Sequence, residues 1–179
     1  MPCALSAGYA IDCKESVGGI DVIYVIENSS LYDASGNSRV TSASGTVTAL
    51  TKVTGKRFYK IEVPRATASA KNTLTASNEN GTLFYTHEVM FPINSRSATV
   101  RNIINTLAKN RLTFVCVEMD GSSRMYGVGY GLNLATGDSG SGTAAGDRSG
   151  YMMTFNSNEK EDFLIVPSNI VAALETPGT

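Results

Sequence analysis

The sequence predicts a mainly β protein, an antiparallel β-sandwich or barrel with one flanking amphipathic α-helix at about residues 96–110. Three observations carry this. Short runs rich in β-branched and aromatic residues recur along the chain, separated by Gly, Ser, Asn and Asp clusters that favour turns. Only one stretch changes its apolar period from two to 3.6. The 179 residues, 42% of them hydrophobic, match one domain with a core of its own.

Taken in order, residues 1–19 read as an N-terminal arm ending in Ser16-Val17-Gly18-Gly19. Residues 20–166 read as a single β-rich domain with one helix, and 167–179 as a C-terminal tail. Ile20 to Glu27 is a central strand, because its β-branched and aromatic side chains suit a pleated surface. Asn28 to Ser44 is a long turn-rich excursion. Thr46 to Val53 and Arg57 to Val63 alternate as strands, the second stopping at Pro64. Ala66 to Ser77 is a weaker strand, polar on both faces. The Asn80-Gly81 pair favours a tight hairpin into the return strand Thr82 to Ile93. Pro92 places the end of that strand at an edge or a terminus.

Val100, Ile103, Ile104, Leu107 and Ala108 then form a single helical stripe. Ser95 or Ser97 can cap its start, and Lys109 and Arg111 suit its negative end. Leu112 to Met119 is a buried strand, Asp120-Gly121 a turn, and Met125 to Tyr130 its partner. Leu132 to Gly150 reads as a Gly-rich loop. Tyr151 to Phe155 and Phe163 to Val166 are the last strands, before the short apolar stretch Ile170 to Leu174.

Composition narrows the function. Charged residues make up 17% of the chain, against about 25% in typical soluble domains, so the surface is weakly protected against self-association. A net charge of −1 argues against wholesale binding of nucleic acid, which needs a basic excess. No apolar run approaches the roughly 20 residues of a membrane span, and the first residues do not read as a signal peptide, so folding in a cytoplasm is expected. Three cysteines without a C-x-x-C pair weigh against a zinc site or a disulfide framework. Cys116 reads as a small buried hydrophobe, and Cys3 and Cys13 could pair if oxidised.

No catalytic set, cofactor site or metal site stands out. His87 is the only histidine and lies in a strand. Gly137-Asp138-Ser139-Gly140 matches the nucleophile motif of chymotrypsin-like proteases, and His87, Asp120 and Ser139 follow the order of those enzymes. The surrounding sequence lacks that family's histidine turn, its chain spacing and its oxyanion-hole glycines, so the stretch reads as a surface loop. Gly140, Gly142 and Gly146 lack the strand before and the helix after that a dinucleotide fingerprint needs. His87 beside Glu88 has no further ligand cluster, and Asp12, Glu15 and Asp21 lack the spacing of a calcium loop. A sugar-binding module lacks support, since the chain has no Trp.

Charge does segregate. Lys52, Lys56, Arg57, Lys60, Arg65 and Lys71 stand against Glu62, whereas Glu159, Glu161 and Asp162 outnumber Lys160. Such ends could stack head to tail as heterologous contacts do, or each could be a solvated face.

Five stretches carry a family resemblance. They are Cys3 to Ile20 (CALSAGYAIDCKESVGGI), Gly55 to Lys60 (GKRFYK), Glu79 to Tyr85 (ENGTLFY), Asn110 to Phe114 (NRLTF) and Ser141 to Tyr151 (SGTAAGDRSGY). They resemble small virion structural proteins of tailed phages of Bacteroidetes bacteria, across nearly the whole chain. The layout also looks like the tail tube proteins of long-tailed phages. The resemblance implies a virion protein assembled in the host cytoplasm, with six copies per ring. Inner strands would line a channel through which DNA passes without specific binding, and arms or loops would join stacked rings. The partners implied are the chain itself and other tail or connector proteins, with no membrane. Other roles of the same kind are a head–tail connector, a tail terminator or a capsid-decorating protein. Candidate interface residues are Tyr9, Asp12, Lys56, Arg57, Asp147, Arg148, Glu159 and Glu161. A remote alternative is a small serine hydrolase using Ser139, His87 and Asp120.

Overall fold

The computed structural model of the chain describes residues 17–144 and 146–178. Tyr9, Asp12, Cys3 and Cys13 lie outside the described residues. In chain order the elements begin with β1 (Ile20–Glu27), a short 3-10 turn (Asn28–Leu31), β2 (Val40–Ala43), β3 (Thr46–Leu50) and β4 (Tyr59–Glu62). Next come β5 (Ser69–Ser77), β6 (Thr82–Ile93), α1 (Ala98–Lys109), β7 (Leu112–Glu118) and β8 (Ser123–Tyr126). The chain ends with β9 (Asn133–Gly140), β10 (Gly150–Glu159), β11 (Leu164–Ile165) and the single turn α2 (Ser168–Val171).

These strands build two sheets, one of seven strands in the order β2-β3-β11-β8-β7-β1-β4 and one of four in the order β5-β6-β10-β9. Every pairing is antiparallel except β11 with β3, which meet at Ile165 and Thr46. The two sheets form a sandwich rather than a closed barrel, and among the described residues β2, β4, β5 and β9 are edge strands.

Pleating decides where the cores sit. On β7, Leu112, Phe114 and Cys116 point between the sheets, and Val115 points to the opposite face. On β1, Ile23 and Val25 point inward and Ile26 outward, with a bulge near Ile20 restoring Ile20 to the inner set. The inner core is centred on Phe91, Phe114 and Phe155, whose ring centroids lie 5.2 to 6.0 Å apart. The outer core joins Ile26, Phe58, Val115 and Met125 to Leu31, Val47, Leu164, Val166 and Leu174.

The helix is capped by Ser97, whose Oγ accepts from the Val100 N–H at 3.3 Å. It buries Ile104 and Leu107 in the inner core but leaves Ile103 49% exposed, so the expected stripe is only partly covered. The β5–β6 hairpin closes at Ser77 and Thr82 through a four-residue loop, with Gly81 at φ 60° as the left-handed residue. Pro92 stands one residue from the end of β6, so the terminus is the reason it is tolerated.

Four expectations change. The partner of β7 runs from Ser123 to Tyr126, so Gly127 to Tyr130, expected as strand, lies in a turn. The segment Leu132 to Gly150 is not all loop, because Asn133 to Gly140 pairs along β10 as an edge strand and only the stretch after it turns. Its composition hides the strand, since an edge needs little more than backbone pairing. The excursion from Asn28 to Ser44 contains β2, paired to β3. The C-terminal segment packs down: Leu174 has no exposed surface, and its carbonyl accepts from the Phe58 N–H at 3.1 Å.

A lysine latches that segment. Lys52 is 7% exposed, and its Nζ donates to the carbonyls of Ala173, Leu174 and Thr176 at 2.8, 3.2 and 2.7 Å. Burial lowers its pKa from the ordinary lysine value, yet its three donors are all used. Hydrogen bonds to charged groups contribute about 1.5–3 kcal/mol each, and carbonyls released here can regain water. Lys52→Met is therefore expected to cost about 2–3 kcal/mol in urea unfolding. It should also speed amide exchange around Leu174, with β7 unaffected.

Candidate functional site

Ser139, His87 and Asp120 are not brought together. Ser139 lies on edge strand β9 opposite Tyr151, and Tyr151 lies opposite Ile93 on β6. His87 is six residues further along β6, on the order of 20 Å away along the strand alone. Asp120 sits in the exposed β7–β8 turn, where its carboxylate accepts from the Ser122 N–H and hydroxyl at 2.8 and 2.6 Å. This arrangement cannot pass a proton from serine to histidine.

His87 instead belongs to a buried polar hub that holds the turn from Gly127 to Gly131, between β8 and β9. The Gly127 N–H donates to His87 Nδ1 at 3.2 Å, which places the imidazole hydrogen on Nε2 in the neutral ring. Asn28 is buried and donates to Thr113 Oγ1, the Gly127 carbonyl and the Val128 carbonyl at 3.0, 3.0 and 3.1 Å. The Tyr32 hydroxyl donates to the Val128 carbonyl at 2.6 Å. Gly127 adopts φ 76°, and a Cβ there would lie 3.2 Å from the Leu112 carbonyl and within 2.1 Å of Leu132. Only glycine fits.

Glu159 completes the hub and corrects an expectation. It is 4% exposed, and both its carboxylate oxygens accept from the Tyr130 N–H, at 3.0 and 3.1 Å. Burial raises its pKa from the usual carboxylate value, and the backbone N–H groups around Tyr130 oppose that rise. A side chain so engaged holds its own fold and is not offered to a neighbour. Lys52 likewise drops out of the basic end.

The other candidates divide. Lys56 is exposed and bridges Glu27 at 2.8 Å, while the Arg57 guanidinium lies 5.5 Å from the Tyr59 ring centroid. Asp147 organises the β9–β10 connection by accepting from the Thr143 and Ala144 N–H groups at 2.7 and 2.8 Å, which lowers its pKa. Arg148 and Glu161 are exposed. The basic end is further neutralised by Lys60–Glu62 at 2.9 Å and Lys71–Glu88 at 3.5 Å. The segregated charge is thus weaker than the sequence suggests.

The prominent free features are edges and one polar face. β5 and β9, of nine and eight residues, bound the four-stranded sheet and, among the described residues, have no strand on their outer sides. Register places Lys71, Glu88, Asn156 and Asn133 in one row across the face turned away from the core. Ser69, Met90, Thr154 and Thr136 form the next row. Thr73, Thr86 and Asn158 line up beyond them, and Pro92, Met152 and Asp138 at the other end. Hydroxyls and amides dominate, and the charged members are Lys71, Glu88 and Asp138. Where the β5–β6 hairpin extends past the core, Leu74 and Leu83 are 58% and 57% exposed on the opposite face. The weak strand expected from Ala66 to Ser77, polar on both faces, is the sequence signal for an edge lined by a polar surface.

Among the described residues, no group of three His, Cys, Asp or Glu side chains is placed to hold a metal, and no helix is long and apolar enough to cross a membrane. Cys116 is fully buried, and burial pushes its thiol pKa upward, so it is unreactive in the fold. No protein-family model, curated protein or solved structure matches the chain.

The hub carries a pH signature. Burial lowers the His87 pKa from 6.5, with the Asp162 charge and the Glu161 backbone opposing. The unfolded chain therefore binds a proton before the folded one, and stability falls as pH drops below 6.5 toward the folded pKa. The slope is at most about 1.4 kcal/mol per pH unit. Urea unfolding between neutral and mildly acidic pH should show this fall, and His87→Gln should remove it. The imidazole resonances should titrate with a midpoint under 6.5.

Proposed function

We propose that this chain is a phage virion structural subunit, the tail tube protein, which assembles into stacked rings around a DNA-conducting channel. The observation that carries the reading is the four-stranded sheet, with two long edges unpaired among the described residues and a hydroxyl- and amide-rich outer face. Its strands alternate in direction, so β5 and β9 run opposite ways. The β5 of one copy against the β9 of the next is then an antiparallel pair, and any number of copies can close a continuous sheet. Six copies per ring is what the family resemblance implies.

Such a ring turns the Thr, Ser and Asn face inward. That face carries one positive and two negative charges per copy (Lys71 against Glu88 and Asp138), a net of −1. A wall without basic excess gives phosphates no counterion-releasing partner, so DNA can slide along it. Leu74 and Leu83, on the other side of the same hairpin, supply apolar surface for a neighbouring copy.

Negative-stain microscopy of the purified protein over a concentration series tests the reading. Tubes or stacked rings with a central channel are expected. Thr73→Pro and Leu74→Pro should differ, because only one of these two adjacent N–H groups faces the outer edge of β5: the variant that keeps the β signature in circular dichroism should abolish the tubes. Single closed rings that never stack would instead assign a connector or terminator, and a persistent monomer would favour capsid decoration.

A further inference from the structure

Lys71 is the single charged residue of β5 and Asp138 the single charged residue of β9, and their charges are opposite. Both are exposed on the outer face of the four-stranded sheet, each on an edge strand. Lys71 reaches Glu88 at 3.5 Å yet keeps 63% of its side chain exposed, so its ammonium can take a second carboxylate on its other side. Among the described residues Asp138 has no ion-pair partner.

The backbone lets these two residues stand opposite each other across a junction between copies. In an antiparallel sheet each residue turns its N–H and C=O to one neighbouring strand, so bonded and non-bonded pairs alternate along a row. The row Ser69, Met90, Thr154 and Thr136 crosses four strands, which makes three pairs. Its two end residues are therefore oriented alike, both outward or both inward. Lys71 and Asp138 lie two residues from those ends and share their orientation. Either kind of pair can form between them.

We propose that copies of this chain join in one register, with Lys71 of one copy directly opposite Asp138 of the next and its ammonium between that carboxylate and its own Glu88. This register rests on the tube reading, since it needs the β5–β9 junction. It sets Thr73 opposite Thr136 and Ser69 opposite Gly140, and it uses only the even part of β9 beyond the irregularity at Leu134. Side chains change face with every residue, so the competing registers are shifts of two. Such a shift leaves Lys71 opposite Thr136 or Gly140, and Asp138 opposite Ser69 or Thr73, with neither charge paired across the junction. Opposite charges directly across a strand pair favour a register, and their separation forfeits that gain.

Disulfide trapping in the assembled full chain tests the register, in a Cys3→Ser/Cys13→Ser background. Thr136→Cys is combined in turn with Thr73→Cys, Lys71→Cys and Thr75→Cys. Within one copy these positions lie at opposite edges of the sheet, at least three strand spacings or about 14 Å apart, too far for a bridge. On oxidation the Thr73 pair should give a ladder of covalent oligomers at least about tenfold faster than the other two. Independently, Asp138→Lys should raise the concentration needed for assembly by about fivefold or more, and Lys71→Glu/Asp138→Lys should restore it. Tubes that cross-link through Lys71→Cys or Thr75→Cys instead would overturn the register and leave the tube reading standing. Tubes that cross-link through none of the three pairs would overturn the β5–β9 junction itself. A wild type that stays monomeric at every concentration would overturn the tube reading and this register with it.

Discussion

Strand β7 carries Phe114 and Cys116 to one side and Val115 to the other, all with no exposed surface, so the large sheet must be covered on both faces. Burying a side chain of this size contributes about 1.5–3 kcal/mol, which makes either cover costly to omit. The inner cover is the four-stranded sheet and α1. The outer cover is assembled from chain that otherwise reads as connection: the stretch from Asn28 to Phe58 and the C-terminal segment ending in Leu174. Lys52 ties these two together, since it stands in the first and donates to three carbonyls of the second. The long excursion and the apolar tail are therefore walls of a second core.

This explains what could be read in advance. β1, β6, α1 and β7 were legible because each carries its own apolar period, and their ends agree with the structure within a few residues. β9 was not legible, because Asn133 to Gly140 offers the inner core only Leu134 as a large apolar side chain. Its existence rests on pairing with β10, which local composition does not record. The docking of Leu174 was half legible: the apolar stretch was visible, but its partner Phe58 lies more than a hundred residues earlier.

The polar hub was invisible for the same reason. Asn28 reaches Gly127 across 99 positions, and His87 receives the Gly127 N–H across 40. In the sequence, Asn28 reads as a turn residue, His87 as a strand histidine and Glu159 as part of an acidic end. In the fold each satisfies backbone groups of one turn that an apolar environment would otherwise strand at a cost. The acidic and basic ends weaken together: Glu159 and Lys52 turn inward, while Lys56, Lys60 and Lys71 find carboxylates beside them. Net charge along a sequence counts residues that the surface never displays.

Protection against unwanted pairing is distributed unevenly over the edges. β2 is four residues long with a bulge in its pairing to β3, and β4 is four residues long and followed closely by Pro64. Short, irregular strands of this kind are poor templates for another chain. β5 runs nine residues in unbroken register with β6 and has one charged residue, Lys71, already paired with Glu88. β9 has its irregularity near its start, beside Leu134, and continues evenly to Gly140. A monomer under pressure to stay monomeric would blunt these two edges first, because they are the longest. Among the described residues the small sheet keeps both open and opposite in direction, and the larger sheet carries the short or interrupted ones. That asymmetry, more than any cluster of charge, sets β5 and β9 apart from the other edges.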